Sequence, residues 1–213
     1  MSETILVTGA SAGFGQAICR RLVADGYRVI GSARRIDKLQ ALQEELGEAF
    51  YPLQMDVTDL SQVDHALASL PKAWEKVDVL VNNAGLALGL APAYEAEVAD
   101  WLTMIQTNIV GLTYLTRKIL PQMVERNDGY IINLGSTAGT VPYPGANVYG
   151  ASKAFVKQFS LNLRADLAGK KIRVSNIEPG LCEGTEFSSI RFKGDEERVE
   201  ALYRNAHAIQ PED

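Results

Sequence analysis

The sequence predicts an α/β fold, a single doubly wound parallel sheet, and three observations predict it. Short runs rich in Val and Ile alternate along the 213 residues with longer segments of helical period, the pattern of repeated β-α units. Apolar residues make up 46% and charged residues 22%, which supplies a sizeable core and excludes a disordered chain. At roughly 100 to 200 residues per domain, the length fits one domain over residues 1–213.

The elements follow in order. The apolar run Thr4 to Thr8 reads as the first strand, and Gly13 to Asp25 as the helix that leaves it. A second strand is expected at Arg28 to Ala33 with a helix at Lys38 to Leu46, and a third at Phe50 to Met55 with a helix at Ser61 to Leu70. Val77 to Asn82 is the fourth strand, followed by a long helical stretch, Glu97 to Arg126, that begins with a bend. Tyr130 to Leu134 and Arg173 to Ile177 are the fifth and sixth strands, separated by a helix at Tyr149 to Leu167. Right-handed crossovers put these helices on both faces of the sheet. At the carboxyl end, Gln210-Pro211-Glu212-Asp213 has the proline and acids of a first helical turn, so a final helix and a seventh strand are expected to be missing from this chain.

Composition excludes several function classes. Lys and Arg number 21 against 26 Asp and Glu, and the net charge of −5 repels a phosphate backbone, so no nucleic-acid partner is expected. Cys19 and Cys182 make no disulfide framework, and with only His65 and His207 beside them no metal site is expected. No apolar run approaches a membrane span, and Met1-Ser2-Glu3 opens no secretory signal. The expectation is a protein without a membrane partner in a reducing cytoplasm.

The first strand runs into Thr8-Gly9-Ala10-Ser11-Ala12-Gly13-Phe14-Gly15 and then directly into a helix. Gly9 suits a sharp turn, Gly13 lets backbone approach a pyrophosphate, and Gly15 permits close packing of helix on strand, while the helix amino terminus faces the anion. A tight turn alone would use the same glycines. A pocket for NAD has an acid about 20 residues further on, but this strand ends in Ser32-Ala33-Arg34-Arg35. A guanidinium pair there meets the 2′-phosphate of NADP, with Ser11 as an added hydroxyl donor. Alternatively, Arg34 and Arg35 are solvated residues opening a helix that Asp37 caps.

Tyr149-Gly150-Ala151-Ser152-Lys153 places a phenol and an amine four residues apart on one helix face. A tyrosine titrates near ~10, so proton exchange at neutral pH needs a downward shift of about three units, or roughly 4 kcal/mol. The Lys153 ammonium supplies the right sign. Ser136 lies thirteen residues before Tyr149 at the end of an apolar strand, where parallel sheets bind ligands. Its hydroxyl either hydrogen-bonds a reacting oxygen or caps the next turn.

Taken together, Thr8 to Gly15, Asp56-Val57, Asn82-Asn83-Ala84-Gly85, Asn108, Ser136, Tyr149, Lys153 and Pro179-Gly180 resemble the short-chain dehydrogenase/reductases over essentially all 213 residues. The resemblance implies a Rossmann-type sheet ordered 3-2-1-4-5-6 with a seventh strand, and hydride transfer between a nicotinamide and a carbonyl or alcohol. It makes Tyr149 the general acid/base, Ser136 the partner of the substrate oxygen, and Lys153 a ligand of the nicotinamide ribose. Asn108 would complete a proton relay through water. The turn residues Gly9, Ala10, Ser11, Ala12, Gly13, Phe14 and Gly15 would bind the cofactor. Asp56 would contact its adenine, Val57 would lend backbone, and Asn83, Ala84 and Gly85 would line its adenosine side. Pro179 and Gly180 would pass the nicotinamide, with Thr185 near its carboxamide. A homotetramer is implied through the long helices around Glu97 to Arg126 and Tyr149 to Leu167.

Within that family, Gly85-Leu86-Ala87-Leu88-Gly89, the run from Glu178 to Ser188 and Arg191-Phe192-Lys193-Gly194-Asp195 are similar to the NADP-dependent 3-hydroxy acid dehydrogenases. Serine, allo-threonine and 3-hydroxypropionate or malonic semialdehyde are then the substrate class, with NADP(H) as cofactor. A carboxylate substrate asks for a cation, and Arg191 is the first candidate, Lys193 the second. Arg191 as a solvated or subunit-contact residue is the other possibility. A bulkier ketone, or a noncatalytic NADPH-sensing role, are the competing functions. Cys182 and Cys19 are expected only to pack, and His65 and His207 to lie at the surface.

Overall fold

The structure is a computed structural model that describes residues 3–204 and 206–213. Its elements are β1 (Thr4–Thr8), α1 (Gly13–Ala24), β2 (Arg28–Ala33), α2 (Ile36–Leu46), β3 (Phe50–Gln54), α3 (Leu60–Ala68), β4 (Val79–Asn82) and α4 (Val98–Ile105). They continue with α5 (Leu112–Arg126), β5 (Gly129–Leu134), α6 (Asn147–Asp166), β6 (Ile172–Ile177), α7 (Phe187–Arg191) and α8 (Glu196–Tyr203). The strands form one parallel sheet in the order β3-β2-β1-β4-β5-β6, the order expected.

Alternation along each strand divides the core into two layers. On β1, Leu6 joins Ile30, Leu80 and Ile131 beneath α3, α5 and α6, where Val63, Leu115, Ile119 and Leu163 close the packing. Ile5 and Val7 point the other way, toward Cys19 of α1 and Leu39 and Leu42 of α2. The sequence therefore buries both faces, as a parallel sheet requires. One polar ladder crosses the core behind the strand ends: Asn82 donates to Asn133 and Thr116, each at 2.9 Å, and Asn133 donates to Ser160 at 2.9 Å. Every member is buried and bonded, so the ladder fixes β4, β5 and α6 relative to one another without leaving an orphan.

Chain order reverses between β1 and β4, and the crevice beyond their carboxyl ends is where such sheets take ligands. Four local expectations are corrected. The stretch Glu97 to Arg126 is not one helix bent at its start: α4 and α5 are separated by a π-helical segment, Gln106–Gly111. Gly111 lies against Val57, where a Cβ would crowd the Val57 carbonyl, so the chain passes too closely there for any other residue. Residues 187–203, assigned no helix from sequence, hold α7 and α8. The segment Gln210 to Asp213 is a turn rather than a helix start, with the Gln210 N–H donating to the Asp213 carboxylate at 2.8 Å. Finally, α2 begins without a side-chain cap, and Asp37 sits inside its first turn. Among the described residues no helix is long and apolar enough to cross a membrane, and no cluster of His, Cys, Asp and Glu could hold a metal ion.

Candidate active site

The glycine turn is built as its residue types demand. Gly9 and Gly13 have φ of 70° and 51°, the left-handed region that only glycine enters freely. A Cβ on Gly15 would collide with the Gly9 carbonyl oxygen, so α1 starts directly against the turn. Thr8 ties this turn to the end of β4: its hydroxyl accepts from the backbone N–H groups of Asn83 at 3.0 Å and Ala84 at 2.9 Å. The Asn83 amide donates to the Thr8 carbonyl at 2.7 Å. Its polar side chain thus holds the turn in place, while Asn83, Ala84 and Gly85 still line the cleft. Ala10 is buried in the core, and its N–H donates to the Ser32 carbonyl.

The cleft holds about 620 Å³. Gly9, Ser11, Ala12, Gly13 and Phe14 line one end, and Asp56 and Val57 lie beside them. Asp56 spends one carboxylate oxygen on the backbone and hydroxyl of Thr58, at 2.9 and 2.8 Å. Arg34 is exposed at the rim. Arg35 is half-buried, donates to the Ser11 hydroxyl at 3.0 Å, and meets the Glu186 carboxylate at 2.8 Å. Lys38, one turn into α2, meets the same carboxylate at 2.8 Å. These two cations hold the Glu186 carboxyl well below the usual range, at about 2. Thr185 packs on Gly13, where a Cβ would come within 3.1 Å of its methyl group, so residues 185 and 186 cross the cleft as a strap.

At the other end Ser136, Tyr149 and Lys153 come together with Pro179, Gly180 and Arg191. Ser136 follows β5 and does both things its sequence position allows. Its hydroxyl caps the short turn Thr137–Gly139, accepting from the Ala138 N–H at 3.1 Å, and it lies near enough to the Tyr149 phenol to favour the phenolate. Tyr149 and Lys153 share one face of α6, both buried. Lys153 donates to the Leu134 carbonyl at 2.7 Å, and burial pulls its pKa down to about 8.

The expected downward shift of Tyr149 is corrected. Its phenol is pushed up, first by burial, with Ser136 and the Arg191 charge acting in the opposite direction. The Lys153 amine lies 6.0 Å from the ring centroid and is directed at Leu134, so desolvation outweighs it.

Asn108 sits in the π-helical segment, completely enclosed. Its carboxamide accepts from the Leu86 N–H and donates to the Leu86 carbonyl, both at 2.9 Å, and donates to Ser152 at 3.0 Å. A Cβ on Gly85 would touch Asn108 Oδ1 at 3.2 Å and Lys153 Nζ at 3.4 Å, so Gly85 separates the two groups.

Arg191 is 7% exposed. Its guanidinium donates to the Gly89 carbonyl and to the Tyr143 hydroxyl, each at 3.1 Å, and lies between the rings of Tyr143 and Tyr149, 5.5 and 5.7 Å from their centroids. Among the described residues no carboxylate pairs with it. Lys193, the second candidate cation, instead pairs with Asp100 at 2.8 Å. Cys182 lines the cleft, but burial and the acids Asp213, Glu212 and Glu183 push its thiol up, which opposes reactivity. His65 and His207 are exposed.

Sequence reasoning missed Lys38, Tyr143, Glu186 and Phe187, all of which lie at or beside the cleft. Lys38 was the most accessible of them, since it stands three residues after Arg35 on a helix. Glu186 gave no local signal, because its partner Arg35 is 151 residues away.

The family profile for short chain dehydrogenases matches residues 3–195, and this chain belongs to that family. A probable NADP-dependent dehydrogenase of Haemophilus influenzae is 61% identical over 212 residues, covering 100% of this chain and 84% of that protein. The NADP-dependent 3-hydroxy acid dehydrogenase YdfG of Salmonella typhi is 60% identical over 209 residues, covering 98% and 84%. Among solved structures, the closed form of a serine dehydrogenase complexed with NADP+ superposes with a TM-score of 0.97 at 58% identity, covering 99% of this chain and 85% of that one.

Proposed function

We propose that this chain, as one domain over residues 1–213, is an oxidoreductase that transfers a hydride between NADP(H) and small 3-hydroxy acids or their 3-oxo forms. The observation that carries it is Arg191: a buried guanidinium with no carboxylate partner among the described residues, in one cleft with Ser136, Tyr149 and Lys153. An uncompensated buried cation beside a phenol and a hydroxyl suits a substrate with an acid at one end and an alcohol at the other. The relatives named for NADP and for 3-hydroxy acids or serine support the same cofactor and substrate class.

The residues present fit the dinucleotide. The positive-φ glycines bring bare backbone and the α1 amino terminus to the cleft, and Arg34, Arg35 and Ser11 offer donors to a 2′-phosphate. A Cβ on Gly180 would meet open space, which keeps the wall low where a flat ring is to pass. Bound NADP+ supplies the acceptor of the alcohol's hydride. In oxidation, Tyr149 takes the hydroxyl proton as the phenolate, the form that Ser136 and the Arg191 charge favour against its burial, while Ser136 donates to the substrate oxygen and Arg191 holds the carboxylate. Lys153 keeps N–H groups beyond the one given to Leu134, and these serve ribose hydroxyls. Asn108 positions Leu86 and α6 around these groups.

The proposal includes a cytoplasmic homotetramer. Exposed Val98 and Leu102 on α4, and Phe155 and Leu161 on α6, supply apolar surface that a subunit interface would cover. Sedimentation of the purified chain tests this part.

The activity is tested by NADP-dependent oxidation of L-serine and L-allo-threonine by this chain and by Tyr149→Phe. Turnover is expected with the native chain and lost in the variant. Turnover restricted to apolar alcohols would favour the bulkier-ketone alternative, and NADPH binding without turnover of either class would favour the sensor.

A further inference from the structure

Arg191 is not held by chance contacts. Its Nε is fixed by the Gly89 carbonyl and one Nη2 hydrogen by the Tyr143 hydroxyl, both at 3.1 Å. Tyr143 opens the turn Tyr143-Pro144-Gly145-Ala146, closed by the Ala146 N–H donating to the Tyr143 carbonyl at 3.0 Å. Proline at the second position and a glycine with φ of 78° at the third are the requirements of a type II turn. That turn packs against Leu90, where a Cβ on Gly145 would collide with the Leu90 carbonyl. Leu90 adjoins Gly89. The two groups that grip Arg191 are therefore braced against each other, and the phenol of Tyr143 stands on a turn with little freedom.

We propose that Tyr143 is the second arm of the substrate-carboxylate site, an inference that rests on Arg191 being the first. The Tyr143 oxygen accepts from Arg191, which leaves its own hydrogen free to donate. Arg191 in turn keeps both Nη1 hydrogens for a ligand. A carboxylate in the cleft then accepts from the guanidinium with one oxygen and from the Tyr143 hydroxyl with the other. The Arg191 guanidinium lies 5.5 Å from the Tyr143 ring centroid and 5.7 Å from that of Tyr149, which puts the clamp beside the reacting end of the substrate. Substrate choice follows: both donors are satisfied by an acid, and an ester or amide of the same alcohol satisfies them poorly.

The test compares Tyr143→Phe, Arg191→Met and the native chain on 3-hydroxypropionate and its methyl ester, with propionate binding to the NADPH complex followed by nicotinamide fluorescence. Tyr143→Phe is expected to raise KM for the acid about tenfold with kcat within about twofold, to lower the acid-over-ester preference by the same factor, and to weaken propionate binding. Equal losses on acid and ester, or an unchanged preference, overturn the role of Tyr143. If Arg191→Met lowers that preference and Tyr143→Phe does not, the inference fails while the carboxylate reading of Arg191 stands. If neither variant changes it, that reading fails as well. Unchanged NADPH affinity in Tyr143→Phe is the control for an intact fold.

Discussion

Glu186 meets Arg35 at 2.8 Å although 151 residues separate them, and so joins the strap before α7 to the start of α2 across the cofactor cleft. Its carboxylate lies on the cations proposed to receive the 2′-phosphate of NADP, with Lys38 as a further ligand at 2.8 Å. An anion in the protein and an anion on the cofactor then compete for the same charges.

Glu186→Gln should therefore tighten NADPH. Half-exposed pairs of this kind are worth about 0.2–1 kcal/mol each, so the two that Glu186 makes correspond to roughly twofold to thirtyfold in affinity. Fluorescence titration checks it, with NADH affinity expected to change little. Weaker NADPH binding in the variant would mean that Glu186 closes the strap over bound cofactor instead of competing with it.

Asn108 carries a structural burden that its neighbours cannot take over. Asn108→Ala takes away the side-chain partner of the Leu86 N–H and carbonyl and the amide that donates to the Ser152 hydroxyl, at a position where Asn108 and Ser152 are both buried. Losing buried partners costs about 1–3 kcal/mol per group, so a fall of about 5–10 °C in the unfolding temperature is expected along with lost turnover. Asn108→Asp retains the acceptor but not the two donations, and should fail similarly. Thermal melts beside activity assays decide it; a variant with native stability and no activity would instead mark Asn108 as acting on the reacting groups alone.

The strands are legible because apolar β-branched runs such as Thr4–Thr8 and Arg28–Ala33 end where glycine or charge intervenes, and in both the bounds of the run coincide with those of the strand. Glu97 to Arg126 shows what periodicity misses. A widened turn over Gln106–Gly111 keeps the apolar face in phase, so sequence reports a continuous helix through the segment that carries Asn108. Helix α7 has five residues, too few to display a period. Motif spacing identified Ser136, Tyr149 and Lys153, since each motif is local. The Tyr143–Arg191 and Arg35–Glu186 contacts depend on where loops pack, and the sign of the Tyr149 shift depends on burial, which spacing does not reveal.

Gly15 offers a steric test of the turn. A methyl group there would run into the Gly9 carbonyl and the Asn83 amide, which are backbone and a fixed side chain and do not give way. Gly15→Ala should cost about 1–3 kcal/mol, as overpacking does, and weaken NADPH binding by displacing the turn. A variant with unchanged melting and affinity would show that α1 can move away from the turn freely.

Lys153 gives stability a pH dependence whose sign is fixed. Its amine loses a proton near pH 8 in the folded chain but at its ordinary 10.5 when unfolded, so between these values the unfolded chain binds more protons and stability rises with pH. Tyr149 works in reverse: its raised phenol makes stability fall above its ordinary value of 10, which sets the upper limit of a clean measurement. From pH 8 to about 9.5 the Lys153 contribution amounts to about 2 kcal/mol. Lys153→Met lacks this titration, so any stability advantage it holds near pH 7 should shrink by that amount near pH 9.5. Unfolding free energies of the two proteins at both pH values check it; a constant difference would mean that the amine stays charged in the folded chain and that the Leu134 carbonyl offsets its burial.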